Sequence, residues 1–200
     1  MRPATLLVFA KPPRIGLSKT RLAAGLGKAE ARRIATFTLA RTLKAARASG
    51  CRVIVYIAPD SARLTNGARH VFAGFDLKPQ GQGGLTQRLG RGFREAPLGP
   101  VLFIGADAPD VTPKRLRDAV SRLRRSGAVF GPARDGGFWL FGLHKRPRIE
   151  APFKGVRWSG PHAMEDVWSR LPPHSRIGLL DQLIDIDEAD DWKDWVRGQG

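Results

Sequence analysis

Short apolar runs alternate with longer helix-like segments from one end of this chain to the other, and that alternation limits the fold more than any other feature. Residues 5–10 read as a buried strand, a brief apolar run stopped by Lys11-Pro12-Pro13. A loop rich in Pro, Gly and basic residues is expected over 11–27. Residues 28–49 are predicted helical, with Ile34, Phe37, Leu39, Ala40 and Leu43 on one side and Gly50 as the stop. A second strand spans 52–58, a short helix is one reading of the ambiguous stretch 61–74, and a short strand covers 76–79. A helix follows over 85–95. Residues 101–104 form the clearest strand, and 113–126 the next helix, with Pro113 suited to its first turn. Strands are expected at 129–130 and 138–143, a helix at 163–171, an apolar run at 177–180 and a last helix at 188–196. Strand and helix in repeated alternation predict an α/β fold, a mainly parallel sheet covered on both faces. No repeat or linker divides residues 1–200, so one domain is expected.

Composition narrows the class. Cys51 is the single cysteine, which excludes an intramolecular disulfide and a cysteine-cluster metal site. Its place at the start of an apolar run reads as a small, partly buried hydrophobe. No stretch approaches the roughly 18 consecutive apolar residues of a membrane helix. The run at 6–10 is too short for a signal peptide, and a cytoplasmic protein without membrane contact is expected. The formal net charge of +16 favours anionic partners without choosing among them. Much of it sits on helix-like stretches, where arginines on solvated faces are the plain explanation.

In open α/β sheets ligands bind beyond the carboxyl ends of strands, which directs attention to the loops there. The first, FAKPPRIGLSKTRL, places Lys11, Arg14, Lys19 and Arg21 around Gly16. Glycine lets a backbone approach phosphate closely, lysine is a point charge and arginine a bidentate fork. The spacing is not that of a P-loop. A mobile basic loop is the competing reading. The second, PQGQGGLTQRL, has glycines ahead of a helix start, fit either for phosphate or base or simply for a flexible turn. The third, VLFIGADAPDVTP, delivers Asp107 to a strand tip, where Mg²⁺ takes one or two carboxylates plus phosphate oxygens. Asp110 reads as a turn or cap residue. The fourth, GPARDGGFWLFGL, holds Asp135 beside two glycines, a hairpin signal and a substrate-binding signal at once. The fifth, LIDIDEADDW, gathers Asp185, Asp187, Glu188, Asp190 and Asp191. There Asp187 reads first as the cap of the last helix, with a supporting or metal role as the alternative. Trp158-Ser159 is placed to line an acceptor pocket or simply to pack.

Taken together these loops resemble a bacterial group of glycosyltransferase-A-like proteins, the radical-SAM/selenodomain-associated transferases. They are more distantly similar to the guanylyltransferases of molybdenum-cofactor and phospholactate metabolism. The pattern FxKxPxxGxxKTRL is met by Phe9, Lys11, Pro13, Gly16, Lys19, Thr20, Arg21 and Leu22. GxDxPxLTP is met by Gly105, Asp107, Pro109, Thr112 and Pro113, with Val111 for the Leu. GPAxDGGYxLxGL is met by residues 131–143, with Phe138 for the Tyr. The closing acidic segment is similar at Asp185, Asp187 and Asp191. The segment QGxGDLGxR departs: Gly84 replaces an Asp and Thr86 a Gly, and Ala108 stands where Cys or Ser is common. Those exchanges bear on base or substrate preference.

The resemblance implies a three-layer α/β/α sandwich of the nucleotide-diphospho-sugar transferase type. It also implies Mg²⁺ or Mn²⁺ at Asp107 and a nucleoside triphosphate or nucleotide sugar as donor. Nucleotide binding is expected from Ala10, Lys11, Gly16, Lys19, Arg21, Gln80, Gly81 and Gly83. Asp107, Lys19 and Asp135 are the candidate catalytic residues; Gly136, Gly137, Trp158 and Ser159 face a small acceptor. Nucleotidyl and glycosyl transfer both remain open. The rivals are a basic nucleic-acid-binding module, disfavoured by the lack of any binding motif, and a catalytically silent nucleotide-binding protein.

Overall fold

The computed structural model describes residues 3–13 and 19–199. Its elements run β1 (Thr5–Ala10), α1 (Thr20–Leu26), α2 (Lys28–Arg47), β2 (Arg52–Ile57), a 3-10 turn (Asp60–Leu64), α3 (Asn66–Val71), β3 (Asp76–Pro79) and α4 (Leu85–Glu95). Then come β4 (Gly99–Ile104), α5 (Pro113–Arg125), β5 (Ala128–Pro132), β6 (Phe138–Lys145), α6 (Ala163–Trp168), β7 (Ile177–Leu179) and α7 (Ala189–Arg197). Seven strands make one sheet in the order β3-β2-β1-β4-β6-β5-β7. β1 pairs in parallel with β2 and β4, β2 with β3, and β5 with β7; β6 runs antiparallel between β4 and β5. The fold is therefore α/β with a mostly parallel sheet.

Alternation along each strand sends successive side chains to opposite faces. On one face Leu6 and Val8 of β1 pack with Leu39 and Leu43 of α2 and with Leu116 and Leu123 of α5. On the other Leu7 packs with Leu89 and Phe93 of α4 and Val167 of α6. All six residues of β4 are buried, as expected of a strand covered on both sides. A third cluster, Leu22, Ala31, Ile34, Ile186 and Trp195, joins α1, α2 and the segment leading into α7.

The connections set the position of the site. From β1 the chain passes through α2 to β2 on one side of β1; from β3 it returns through α4 to β4 on the other side. The winding reverses between β1 and β4, and such a reversal opens a crevice at the carboxyl ends of the two strands.

Several sequence expectations change. The loop expected over 11–27 ends in helix α1, whose single buried residue is Leu22. One apolar side chain gives no periodicity to read, and tertiary packing makes the helix instead. At Gly25 a Cβ would stand 2.6 Å from that of Ala189, so glycine permits α1 to lie against α7. The last helix is capped by Glu188, in a capping box with Asp191, and not by Asp187. Cys51 is half-buried, and burial pushes its thiol pKa up, away from the range of a reactive thiolate. Among the described residues no helix is long and apolar enough to cross a membrane.

Candidate functional site

Three chain segments meet at the crevice between β1 and β4. Lys19 opens α1 with a left-handed backbone (φ 56°, ψ 50°), uncommon for a residue with a Cβ. Its Nζ lies 2.6 Å from Asp107 Oδ1 and 2.7 Å from Asp187 Oδ1. It also donates to the Ile186 carbonyl at 2.7 Å. Asp107 follows β4, and its own carbonyl accepts the Ile186 N–H at 3.0 Å, which ties the late acidic segment to the strand tip. Arg21 donates through Nη2 to Asp187 Oδ2 at 2.8 Å and through Nη1 to Glu188 at 3.2 Å.

Burial opposes the Lys19 charge, but the Asp107 and Asp187 carboxylates outweigh it and hold the ammonium above the ordinary lysine pKa. Burial likewise opposes ionisation of Asp187, and Lys19 and Arg21 reverse it, so its pKa falls below the usual value. At Asp185 the nearby Lys19 charge is outweighed. Burial, followed by the nearby Asp107 and Asp135 charges, pushes the carboxyl up to about 8.

These groups line a cavity of about 600 Å³. Among the described residues Lys11, Lys19, Arg21 and Arg88 supply its cations, and Asp107, Asp135, Asp185 and Asp187 its carboxylates. Phe138, Trp139 and Trp158 form an apolar wall. Trp158 is fixed by its indole N–H, which donates to Thr86 Oγ1 at 2.8 Å, while that hydroxyl donates to the Phe153 carbonyl at 3.0 Å. Thr86 thereby ties α4 to the loop carrying Trp158.

Of the residues singled out in the sequence, Ala10, Lys11, Lys19, Arg21, Gln80, Asp107, Asp135, Gly137, Trp158 and Ser159 line this cavity. Gly16 lies outside the described residues, as does Arg14. Gly81, Gly83 and Gly136 are not among the residues that line the cavity. Each has a positive φ and serves a turn. Gly81 donates its N–H to Asp60 Oδ1 at 3.0 Å, and a Cβ there would meet the Arg91 guanidinium. The back of Gly136 presses on the Pro161 backbone. Gln80 is buried, and its amide donates to the Ala10 carbonyl at 3.2 Å and to that of Tyr56 at 3.0 Å, joining the ends of β1 and β2. Its Oε1 accepts from Arg88 at 3.3 Å. Asp135 accepts the Gly137 N–H at 2.9 Å within the β5–β6 turn, as the hairpin reading expects, and also lines the cavity.

Sequence reasoning placed Asp187 chiefly at a helix cap and gave Asp185 and Arg88 no separate role. The signal for the two aspartates was the odd-numbered spacing around Ile186. In an extended segment that spacing buries Ile186 and turns both neighbours to the other side. Among the described residues no three His, Cys, Asp or Glu side chains form a ready-made metal cage. Asp107, Asp187 and the Ile186 carbonyl nonetheless surround one cationic nitrogen with hard oxygens. A donor set of that kind suits Mg²⁺ or Mn²⁺ when phosphate and water complete the shell.

Solved structures share this architecture. A protein from Desulfovibrio desulfuricans G20, described as a candidate nucleotide-diphospho-sugar transferase, is 23% identical, with 100% of this chain and 88% of that chain covered at a TM-score of 0.90. Rv0371c from Mycobacterium tuberculosis H37Rv, crystallised with manganese, is 17% identical over 98% of this chain and 99% of its own, at a TM-score of 0.57. A CMP:2-keto-3-deoxy-manno-octonic acid synthetase complexed with CTP is 12% identical over 99% of each chain, at 0.59. At such identities the likeness establishes the fold, that of nucleotide-diphospho-sugar transferases. No curated protein matches the chain in sequence. A family model described as an uncharacterized protein conserved in bacteria matches residues 39–160, more than half of the chain, from α2 through the Asp107 and Asp135 loops to Gly160. The chain belongs to that family, DUF2064.

Proposed function

We propose that this protein is a metal-dependent transferase that takes a nucleoside triphosphate or a nucleotide sugar and moves its nucleotidyl or glycosyl group to a small acceptor. The observation that carries the proposal is the 2.6 Å contact between Lys19 and Asp107 at the β1–β4 crevice. A basic segment suited to phosphate and a carboxylate suited to a divalent cation are in one place, where α/β sheets bind ligands. The manganese and CTP in the similar solved structures agree with such a donor, as does the likeness of the sequence motifs to radical-SAM/selenodomain-associated transferases.

Roles for the side chains follow from their positions. Lys11, Lys19 and Arg21 face the donor phosphates, and Arg88 extends the cationic lining towards α4. Asp107 and Asp187 would hold Mg²⁺ or Mn²⁺, which when bound neutralises charge building on the leaving phosphate. Asp135, with Gly137, Trp158 and Ser159, faces the acceptor. Trp158 and Phe138 offer it an apolar surface that excludes water.

The test is thermal unfolding of the protein with each nucleoside triphosphate and nucleotide sugar, with and without Mg²⁺. One donor should raise the melting temperature in a metal-dependent way, and Asp107→Ala should abolish the rise. Absence of any metal-dependent donor across the set contradicts the proposal.

A further inference from the structure

The proposed function asks two things of one spot: Lys19 is to meet phosphate, and Asp107 and Asp187 are to meet a divalent cation. In the protein alone, neither group is available. An ammonium carries three N–H donors. Lys19 has three oxygen partners, Asp107 Oδ1 at 2.6 Å, Asp187 Oδ1 at 2.7 Å and the Ile186 carbonyl at 2.7 Å. Among the described residues these three oxygens already enclose the ammonium, so a phosphate oxygen must displace at least one of them. The same oxygens are the hard donors that a metal would use, and an ammonium and a divalent ion do not fit among them together. The second Asp187 oxygen is already taken by Arg21 at 2.8 Å.

We propose that Lys19 is a built-in counter-ion, resting in the metal's place and leaving it when a donor polyphosphate draws the ammonium onto its own oxygens. The inference rests on the transferase reading and deepens it by naming how the site is regulated. The electrostatics require the exchange to be coupled. If Lys19 leaves with nothing in its place, Asp107 loses its paired cation and Asp187 keeps only Arg21. If it stays, it repels the incoming cation. Donor and metal therefore favour each other's binding, and metal alone displaces Lys19 only in weak competition, at millimolar levels. The left-handed backbone at Lys19 is the kind of conformation that local contacts must sustain, so loss of those contacts frees the residue to turn.

The experiment measures Mn²⁺ binding to the full chain by electron paramagnetic resonance, without nucleotide. Lys19→Met, neutral and of similar length, should bind Mn²⁺ about tenfold more tightly than the wild type, the gain expected when a form populated at roughly a tenth becomes the only one. Asp107→Asn in the Lys19→Met background should remove that gain. A second measurement needs no variant. Acetic anhydride labelling of wild-type Lys19, read by mass spectrometry against the exposed Lys193, should rise severalfold when Mg²⁺ is added at millimolar levels without nucleotide. Equal Mn²⁺ affinity in wild type and Lys19→Met, or labelling indifferent to Mg²⁺, overturns the exchange. If a nucleotide still stabilises the wild type in a metal-dependent way, only the exchange has failed. If no nucleotide does, the transferase reading fails with it.

Discussion

Leu22→Ala should loosen the site without touching it. Leu22 is fully buried and is the one buried residue of α1. A helix of seven residues has little stability of its own, so its position depends on that side chain in the cluster with Ile34, Ile186 and Trp195. Lys19 and Arg21 sit just before Leu22, and Asp185 and Asp187 flank Ile186. One apolar contact thus registers both charged segments. The substitution removes three carbons, at about 0.8 kcal/mol for each buried CH₂. The unfilled space adds to that, for a total of about 3 kcal/mol. In a chain of this length ~3 kcal/mol corresponds to a fall in melting temperature of about 6–12 °C. Circular dichroism during heating measures it, and the donor-induced, Mg²⁺-dependent stabilisation should shrink in the same variant. A fall smaller than about 2 °C, with stabilisation by donor intact, refutes the anchoring role of Leu22.

Thr86→Val keeps the shape but strands the Trp158 indole N–H and the Phe153 carbonyl. It should cost about 1–3 kcal/mol in urea unfolding and shift Trp emission, and a neutral result would show that the pin is unimportant. Gly136→Ala must hold φ near +83° with a Cβ pressed into the Pro161 backbone. A loss above about 1 kcal/mol in urea unfolding is expected, and wild-type stability would contradict the packing of that turn. Asp166 accepts the Arg157 backbone N–H and two guanidinium N–H groups, and Arg157 holds its carboxyl well below the usual range. Its stabilisation is therefore present above the ordinary aspartate pKa and is lost as pH falls below it. Asp166→Asn should melt well below the wild type at neutral pH, with the gap closing below about pH 4. A gap that stays constant from pH 7 to pH 3 would remove the ion pair from the explanation.

Local signals made much of the fold legible. The strand at 5–10, the strand at 76–79 and the helix at 85–95 have the bounds expected from apolar runs and Gly or Pro punctuation. α1 was hidden because a helix with one anchor leaves no pattern. The insertion of β6 between β4 and β5, and the parallel pairing of the short β7 with β5, are non-local and leave no trace in the neighbouring residues. At the site, Lys19 and Asp107 each stood out by residue type and by position after a strand. Their contact follows from the winding reversal between β1 and β4. Asp187 was misread because two adjacent acidic residues both suit a helix start, and backbone geometry gave the cap to Glu188. A glycine that holds a tight turn and one that cradles a phosphate look alike in sequence, so the glycine-rich loops do not sort by residue type alone.

The central claim is that the basic segment after β1 and the carboxylate after β4 act on one donor polyphosphate. A double-mutant cycle tests it most directly, with Mg²⁺-dependent affinity for the best donor measured in wild type, Lys19→Met, Asp107→Asn and the double variant. Residues engaged at a shared ligand should give losses that depart from additivity by more than about 0.5 kcal/mol. Losses that simply add would place the two residues at independent tasks and contradict the account.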